Sequence, residues 1–552
     1  MKKLAFLVAM ALSMSLFTAC GSDSGTTGTS SGGGGTASNA NGEVHLNISL
    51  TEEFVSPDPN KSNSSISLTT SRHVNMGLYK FAESGELVLD SAQSVEISED
   101  GRIYTFTMRD DIFWTNGTPV TAYDYEYSFK RLANPDNGFV YAWMLSTIGI
   151  ENAYEVCYNG ASLDDLGIEA IDEKTLVLTF SAGKSYITEL LASQSCFYAV
   201  NQEFCEEMGD LFMTDIEHSI FCGPFVLSEW EVGGTTFKIT KNPDYYDADT
   251  VTCDSISYTL LPDAQQRILA WENGTLDEAV IKGDFYPMYA DDDALFPMKF
   301  AGMFFITFNT EDEYFSNENL RLAVSTAINK EPIANNILMD GSVPVDFIIP
   351  ANFAPDSNGV TYRENAGEPT YNEYDPAKAL EYWNKAKAEL GVDTITVDFL
   401  YHEDTQIAST AAYIQSELQN ILPGLIVKLS VTTYNQRVSD MSAGNYQFGI
   451  TRWYGDYQDA STFLDMWIDD SSLNYGNFYD KEYNDLYQLV IGEYALQDDL
   501  RVQAQAEMEK IFLEAGAVCP LYQTSTLYLR TTDYEWNIAP NNFTQYAYTD
   551  FK

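Results

Sequence analysis

Apolar and polar residues alternate in three segments of the first half of the chain. These are Val44–Leu50 (VHLNISL), Ile103–Met108 (IYTFTM) and 176–180 (LVLTF). A period of two puts successive side chains on opposite faces, so each segment predicts a half-buried strand. Short helical stretches lie between them, and no repeat of fixed length is evident.

The second half changes rhythm. Residues 405–422 (TQIASTAAYIQSELQNIL) carry apolar positions three and four apart, which predicts an amphipathic helix stopped by Pro423-Gly424. Another helix is bracketed by punctuation: Asp375 as N-cap, Pro376 at the first helical position and Gly391 beyond the end. Strands are predicted at 395–401 (ITVDFLY), 425–431 (LIVKLSV) and 446–453 (YQFGITRW), with a short helix over 434–444. Strand alternating with helix argues for βαβ units and a parallel sheet.

The first 20 residues have their own pattern. Lys2 and Lys3 precede an apolar run from Leu4 to Phe17, too short to span a bilayer and suited to an export signal. The run ends in FTAC, which resembles the bacterial lipobox. By that resemblance residues 1–19 are a lipoprotein signal peptide and Cys20 is the lipidated first residue of the mature protein. Residues 20–42 then form a lipid-anchored flexible linker, Gly- and Ser-rich and without apolar periodicity. Random-coil scaling gives it a reach of roughly 25 Å. No later segment is long and apolar enough to span a membrane.

Composition narrows the function. The chain has 552 residues, too many for one ordinary core, so two or three lobes are expected. With 30 Lys plus Arg against 81 Asp plus Glu, the net charge of −51 argues against nucleic acid and against a polybasic membrane patch. Cys157, Cys196, Cys205, Cys222, Cys253 and Cys519 form no CxxC pair. Export permits disulfides, but the spacings assign none, and buried free thiols fit as well. Four histidines make a histidine-rich metal site improbable, and the acidic run 289–295 lacks the glycine turn of a calcium loop, so neither metal nor cofactor is expected. No GxSxG, HExxH or Cys/His constellation points to an enzyme. A glycosidase-like carboxylate pair cannot be picked out of so acidic a sequence.

One acid stands out by its neighbours. Asp456 sits between Tyr454 and Tyr457, behind Trp453, just past the carboxyl end of the last strand in the alternating series. Ligands of open α/β sheets bind at that end. A carboxylate in apolar surroundings is costly unless a cation meets it, so Asp456 is either solvated on a turn or reserved for a positive partner.

Residues 94–132 (SVEISEDGRIYTFTMRDDIFWTNGTPVTAYDYEYSFKRL) closely resemble the signature region of family 5 solute-binding proteins, the oligopeptide- and dipeptide-binding lipoproteins of ABC importers. Further segments are similar in the same order: 223–247 (GPFVLSEWEVGGTTFKITKNPDYYD), 273–279 (NGTLDEA), 319–338, 374–383 (YDPAKALEYW) and 453–467 (WYGDYQDASTFLDMW). The resemblance implies an α/β fold, a periplasmic-binding-protein-like two-lobed clamp with an inserted third subdomain and a discontinuous first lobe. The implied parts are lobe I over 43–75, 184–300 and 520–552, inserted subdomain II over 76–183, and lobe III over 301–519.

The resemblance also implies roles. Asp456 would meet the α-ammonium of a peptide, Trp453 and Tyr454 would contact its first units, and Tyr141 would line the pocket. Asn63 and Ser65 would belong to an extended segment pairing with the peptide backbone. Some oligopeptide binders carry an arginine three positions before the tryptophan to help meet the ligand carboxylate. Here that position is Ile450, and Arg452 adjoins Trp453 instead. The implied protein is a monomer that hands its ligand to membrane permease subunits and performs no chemistry on it. The same fold would also serve an oligosaccharide, haem or metal-chelate binder, or a surface peptide sensor.

Overall fold

The computed structural model describes residues 42–356, 359–469, 471–540 and 542–552. The expected export signal, the expected lipidation site Cys20 and all but the last residue of the expected linker lie outside the described residues.

The Val44–Leu50 strand forms as its alternation predicts, with Val44, Leu46 and Ile48 buried. It pairs in parallel with Cys253–Leu260, more than 200 residues away. Such distant pairing makes this part of the protein discontinuous in sequence. The sheet continues antiparallel through Thr236–Lys241 to Phe225–Trp230.

Between those distant partners lies a separate four-stranded antiparallel sheet, in the order Ala92–Ile97, Ile103–Met108, Thr175–Thr179, Ile168–Asp172. Asp100-Gly101 makes its first turn, with Gly101 at φ +67°. The Ala122–Ala133 helix packs on this sheet. Thr121 caps it, and the Asp124 carboxylate accepts the Thr121 backbone N–H at 2.8 Å and the indole N–H of Trp114 at 3.4 Å.

The βαβ expectation holds in the second half. Ile395–His402 pairs in parallel with both Leu425–Thr432 and Phe448–Tyr454. The Pro376–Leu390 helix starts and stops on the predicted residues. Asp375 accepts the N–H groups of Ala377 and Lys378, and Gly391 adopts φ +69°. The second helix, Thr405–Ile421, is capped by Asp404.

Two strands of 14 and 13 residues, Leu295–Phe308 and Val518–Arg530, join these halves into one sheet. At one end Val518–Arg530 pairs with Glu278–Ile281, and at the other Leu295–Phe308 pairs with Phe448–Tyr454. The register between the long strands shifts between Lys299 and Met303 and again between Phe304 and Phe305. Gly302 sits at this irregularity, where a Cβ would fall 2.4 Å from the Tyr454 ring and 2.3 Å from Thr524 Oγ1. Past the irregularity both faces of the sheet are covered. Phe304, Ile306 and Phe308 enter one core with Phe399 and Phe448, and Met303 and Phe305 enter another with Phe463, Trp467 and Phe512. Cys157, Cys196, Cys205, Cys222, Cys253 and Cys519 are all buried free thiols.

Candidate ligand-binding site

The Phe448–Tyr454 strand ends in Gly455-Asp456, and local contacts fix that turn. A Cβ on Gly455 would lie 2.8 Å from the Phe353 ring, so only glycine lets the chain pass. The Gly455 N–H donates to the Ala301 carbonyl at 2.7 Å. Buried Thr462 then holds two neighbours with one atom: its Oγ1 accepts the Asp456 backbone N–H at 3.1 Å and the Trp453 indole N–H at 3.5 Å.

These contacts leave the Asp456 side chain facing a cleft of about 570 Å³. The cleft is walled by Trp143, Trp453, Tyr457 and Tyr487, with Thr147, Ile468, Ser471 and Leu473 between them, and Asp465 as a second acid. Among the described residues no lysine, arginine or histidine lines it. The Asp456 carboxylate makes no hydrogen bond or ion pair among the described residues, and burial pushes its pKa up to about 6.

Asp459, three residues on, shows what a structural acid looks like here. It accepts from Arg501 Nε at 3.0 Å, Gln505 Nε2 at 2.7 Å and Ser185 Oγ at 3.3 Å. Asp465 is intermediate, with one hydrogen bond, from the Tyr457 hydroxyl at 2.9 Å. Burial pushes its pKa up to about 7, Asp456 and Asp459 act in the same direction, and the Tyr457 bond and Lys184 oppose them.

The expected site residues do not all converge. Asp456 and Trp453 share the cleft. Tyr141 is half-buried beside Trp143, ring centroids 6.3 Å apart; burial raises its hydroxyl pKa, with a smaller contribution from Asp456 that places it in electrostatic reach. Tyr454 turns away, because neighbours on a strand face opposite sides. It is 47% exposed and lines a separate pocket of about 230 Å³ with Arg452, His402 and Tyr522. Asn63 and Ser65 are exposed and line neither pocket. Ser65 opens the Ser65–Val74 helix, capped by Ser64, so the chain is not extended at Ser65. Trp143, Tyr457, Asp465 and Tyr487 escaped sequence reasoning. Only Tyr457 and Asp465 carried a signal, by lying within 453–467.

Comparison with known proteins bears on this geometry. The profile of bacterial extracellular solute-binding proteins, family 5, matches residues 86–475. The chain belongs to that family. The family 5 fold is the two-lobed clamp, here with its large mixed sheet bridged by the two long strands. A dipeptide-binding protein of Lactococcus lactis subsp. cremoris is 27% identical over 547 residues, covering 97% of this chain and 94% of the relative. OppA of Listeria monocytogenes, solved bound to peptide, is 29% identical with a TM-score of 0.69, covering 93% of this chain and 99% of that one. The unliganded open form of MppA, a periplasmic murein tripeptide binding protein, gives a TM-score of 0.78 at 23% identity, over 92% of this chain and 97% of that one. Family 5 members are extracytoplasmic solute-binding proteins, and among the described residues no helix is long and apolar enough to cross a membrane.

Proposed function

We propose that this protein captures oligopeptides in the cleft at Asp456 and delivers them to the permease of an ABC importer. The observation that carries the reading is Asp456 itself. It is an aromatic-walled carboxylate without a partner among the described residues, held at the carboxyl end of a strand in a family whose similar members are named for dipeptides and oligopeptides. A peptide α-ammonium supplies the missing cation through a charge-assisted hydrogen bond. Arg452, which makes no ion pair among the described residues, borders the pocket on the opposite face of the same strand tip. Its guanidinium therefore stands outside the cleft at Asp456.

Capture is a closure event in this account. Lobe I (43–75, 184–300 and 520–552) and lobe III (301–519) swing about the long strands, and the register shift at Lys299–Met303 supports a hinge there. Subdomain II (76–183) contributes Trp143 and Tyr141 to the ligand side. The better superposition on the open form of MppA is in keeping with an open conformation here. Cys20 anchors the mature monomer to the outer face of the cell membrane, and no chemistry is done on the ligand. Native mass spectrometry of protein purified from rich medium tests the reading. Co-purified peptides are the expected result, and a bound oligosaccharide, haem or metal chelate would contradict it.

A further inference from the structure

The cleft at Asp456 holds one more acid than a single ammonium needs. Asp465 lines the same space, and Asp456 is close enough to raise its cost of ionisation. Neither has a cation at ion-pair distance among the described residues. Asp465 also lines the neighbouring cavity of about 300 Å³ with Lys184, which acts on it but donates to the Thr147 carbonyl at 2.7 Å and forms no ion pair with the acid. Asp459 is committed to Arg501, Gln505 and Ser185.

The Tyr457 hydroxyl occupies Asp465 Oδ2. An asparagine could accept that bond as well, without burying a charge. The acid is therefore more than the Tyr457 contact requires. The walls supply an independent sign of what it meets. Trp143, Trp453, Tyr457 and Tyr487 present four aromatic rings around a space with two carboxylates and no basic side chain, a combination suited to organic cations.

We propose that Asp465 is a second cation-binding carboxylate of this cleft, and that it selects peptides whose first residue carries a cationic side chain. The inference rests on the peptide reading of Asp456. With the α-ammonium at Asp456, the first side chain is the part of the ligand that remains in the same cleft. A lysine there lays its four-carbon stem along the apolar wall of Ile468 and Leu473 and carries its ammonium to Asp465. Net charge then balances: two carboxylates meet two cations.

The test uses two tetrapeptides, Lys-Ala-Ala-Ala and norleucine-Ala-Ala-Ala, matched in stem length and differing in one charge. Calorimetry is run on the wild-type protein, Asp465→Asn and Asp456→Asn. The wild type should bind the lysine peptide at least about tenfold more tightly. Asp465→Asn, which keeps the Tyr457 hydrogen bond, should bring the two peptides level by weakening the lysine peptide alone. Asp456→Asn should weaken both. Equal wild-type affinities, a preference for norleucine, or an Asp465→Asn variant that loses both peptides alike would overturn the second-cation role while leaving the peptide reading standing. Failure of the wild type to bind either peptide would overturn the peptide reading and this inference with it. The wild-type comparison needs no variant to fold, and thermal unfolding of Asp465→Asn checks its integrity.

Discussion

The ring of Tyr186 stacks on that of Tyr457, with centroids 4.0 Å apart and planes inclined by 20°. The two residues come from segments proposed to belong to different lobes, and Tyr457 directly follows Asp456. Beside the stack, Ser185 Oγ donates to Asp459 at 3.3 Å, so the turn carrying the candidate anchor is braced by a segment more than 270 residues away in sequence. Removing the brace should cost stability and blur the position of Asp456. Tyr186→Ala is expected to lose roughly 2–3 kcal/mol in denaturant unfolding and to weaken peptide binding. Tyr186→Phe should stay within about 1 kcal/mol of wild type, because the stack survives. Equal losses from both variants would show that the hydroxyl, not the stack, matters.

The unpaired acids should make stability depend on pH in a definite direction. Asp456 is pushed up to about 6 and Asp465 to about 7, both by burial first, above an unfolded value of about 4. The groups facing them are Tyr141 for Asp456, and Tyr457, Asp459 and Lys184 for Asp465, besides each other. Folded protein therefore holds protons that the unfolded chain has released, and stability falls as pH rises from about 4 to 7. Asp456→Asn removes its share of that penalty. It should stabilise the unliganded protein at pH 7.5 by on the order of 2 kcal/mol and have little effect at pH 4. Thermal unfolding across that range checks it, and destabilisation at pH 7.5 would mean the carboxylate has a structural partner.

A contrasting acid is fully paired. Glu278 accepts from Arg530 Nε at 2.7 Å and from the Tyr546 hydroxyl at 2.9 Å, while Arg530 also donates to Thr544 at 2.7 Å. The pair fastens Glu278–Ile281 to the end of Val518–Arg530 and to the chain's last segment. Glu278→Gln leaves a buried guanidinium without its counter-charge and should cost about 3–5 kcal/mol, with peptide affinity unchanged in the protein that remains folded. Replacing both partners, as Glu278→Gln with Arg530→Met, should recover part of the loss.

Legibility from sequence followed how local the determining physics is. The Pro376–Leu390 helix was readable because Asp375, Pro376 and Gly391 each act within a turn of it. Asp456 was readable because its strand alternates with helices and so declares its carboxyl end. The Leu295–Phe308 strand was not readable. It is buried on both faces past Gly302 and carries Pro297 and Lys299 before it, so neither period shows. Tyr454 was grouped with Trp453 by family resemblance, although strand geometry sends neighbours to opposite faces. Asp465 lay within the 453–467 segment but went unassigned, because among 81 acidic residues nothing in a one-dimensional pattern marks the one that reaches the same cleft.

The central claim is that Asp456 meets a peptide ammonium. The direct measurement is a calorimetric cycle of wild type and Asp456→Asn against one peptide with a free and with an acetylated N-terminus. Asparagine keeps the size and one acceptor and removes the charge; acetylation removes the charge from the other side. Losing one partner of an enclosed charge pair costs on the order of 2–5 kcal/mol, so the free peptide should lose about thirtyfold or more in affinity on going to the variant. The acetylated peptide should bind wild type poorly and barely distinguish the two proteins, giving a large coupling energy. A coupling energy near zero would contradict the account and leave Asp456 as an acid without a ligand role.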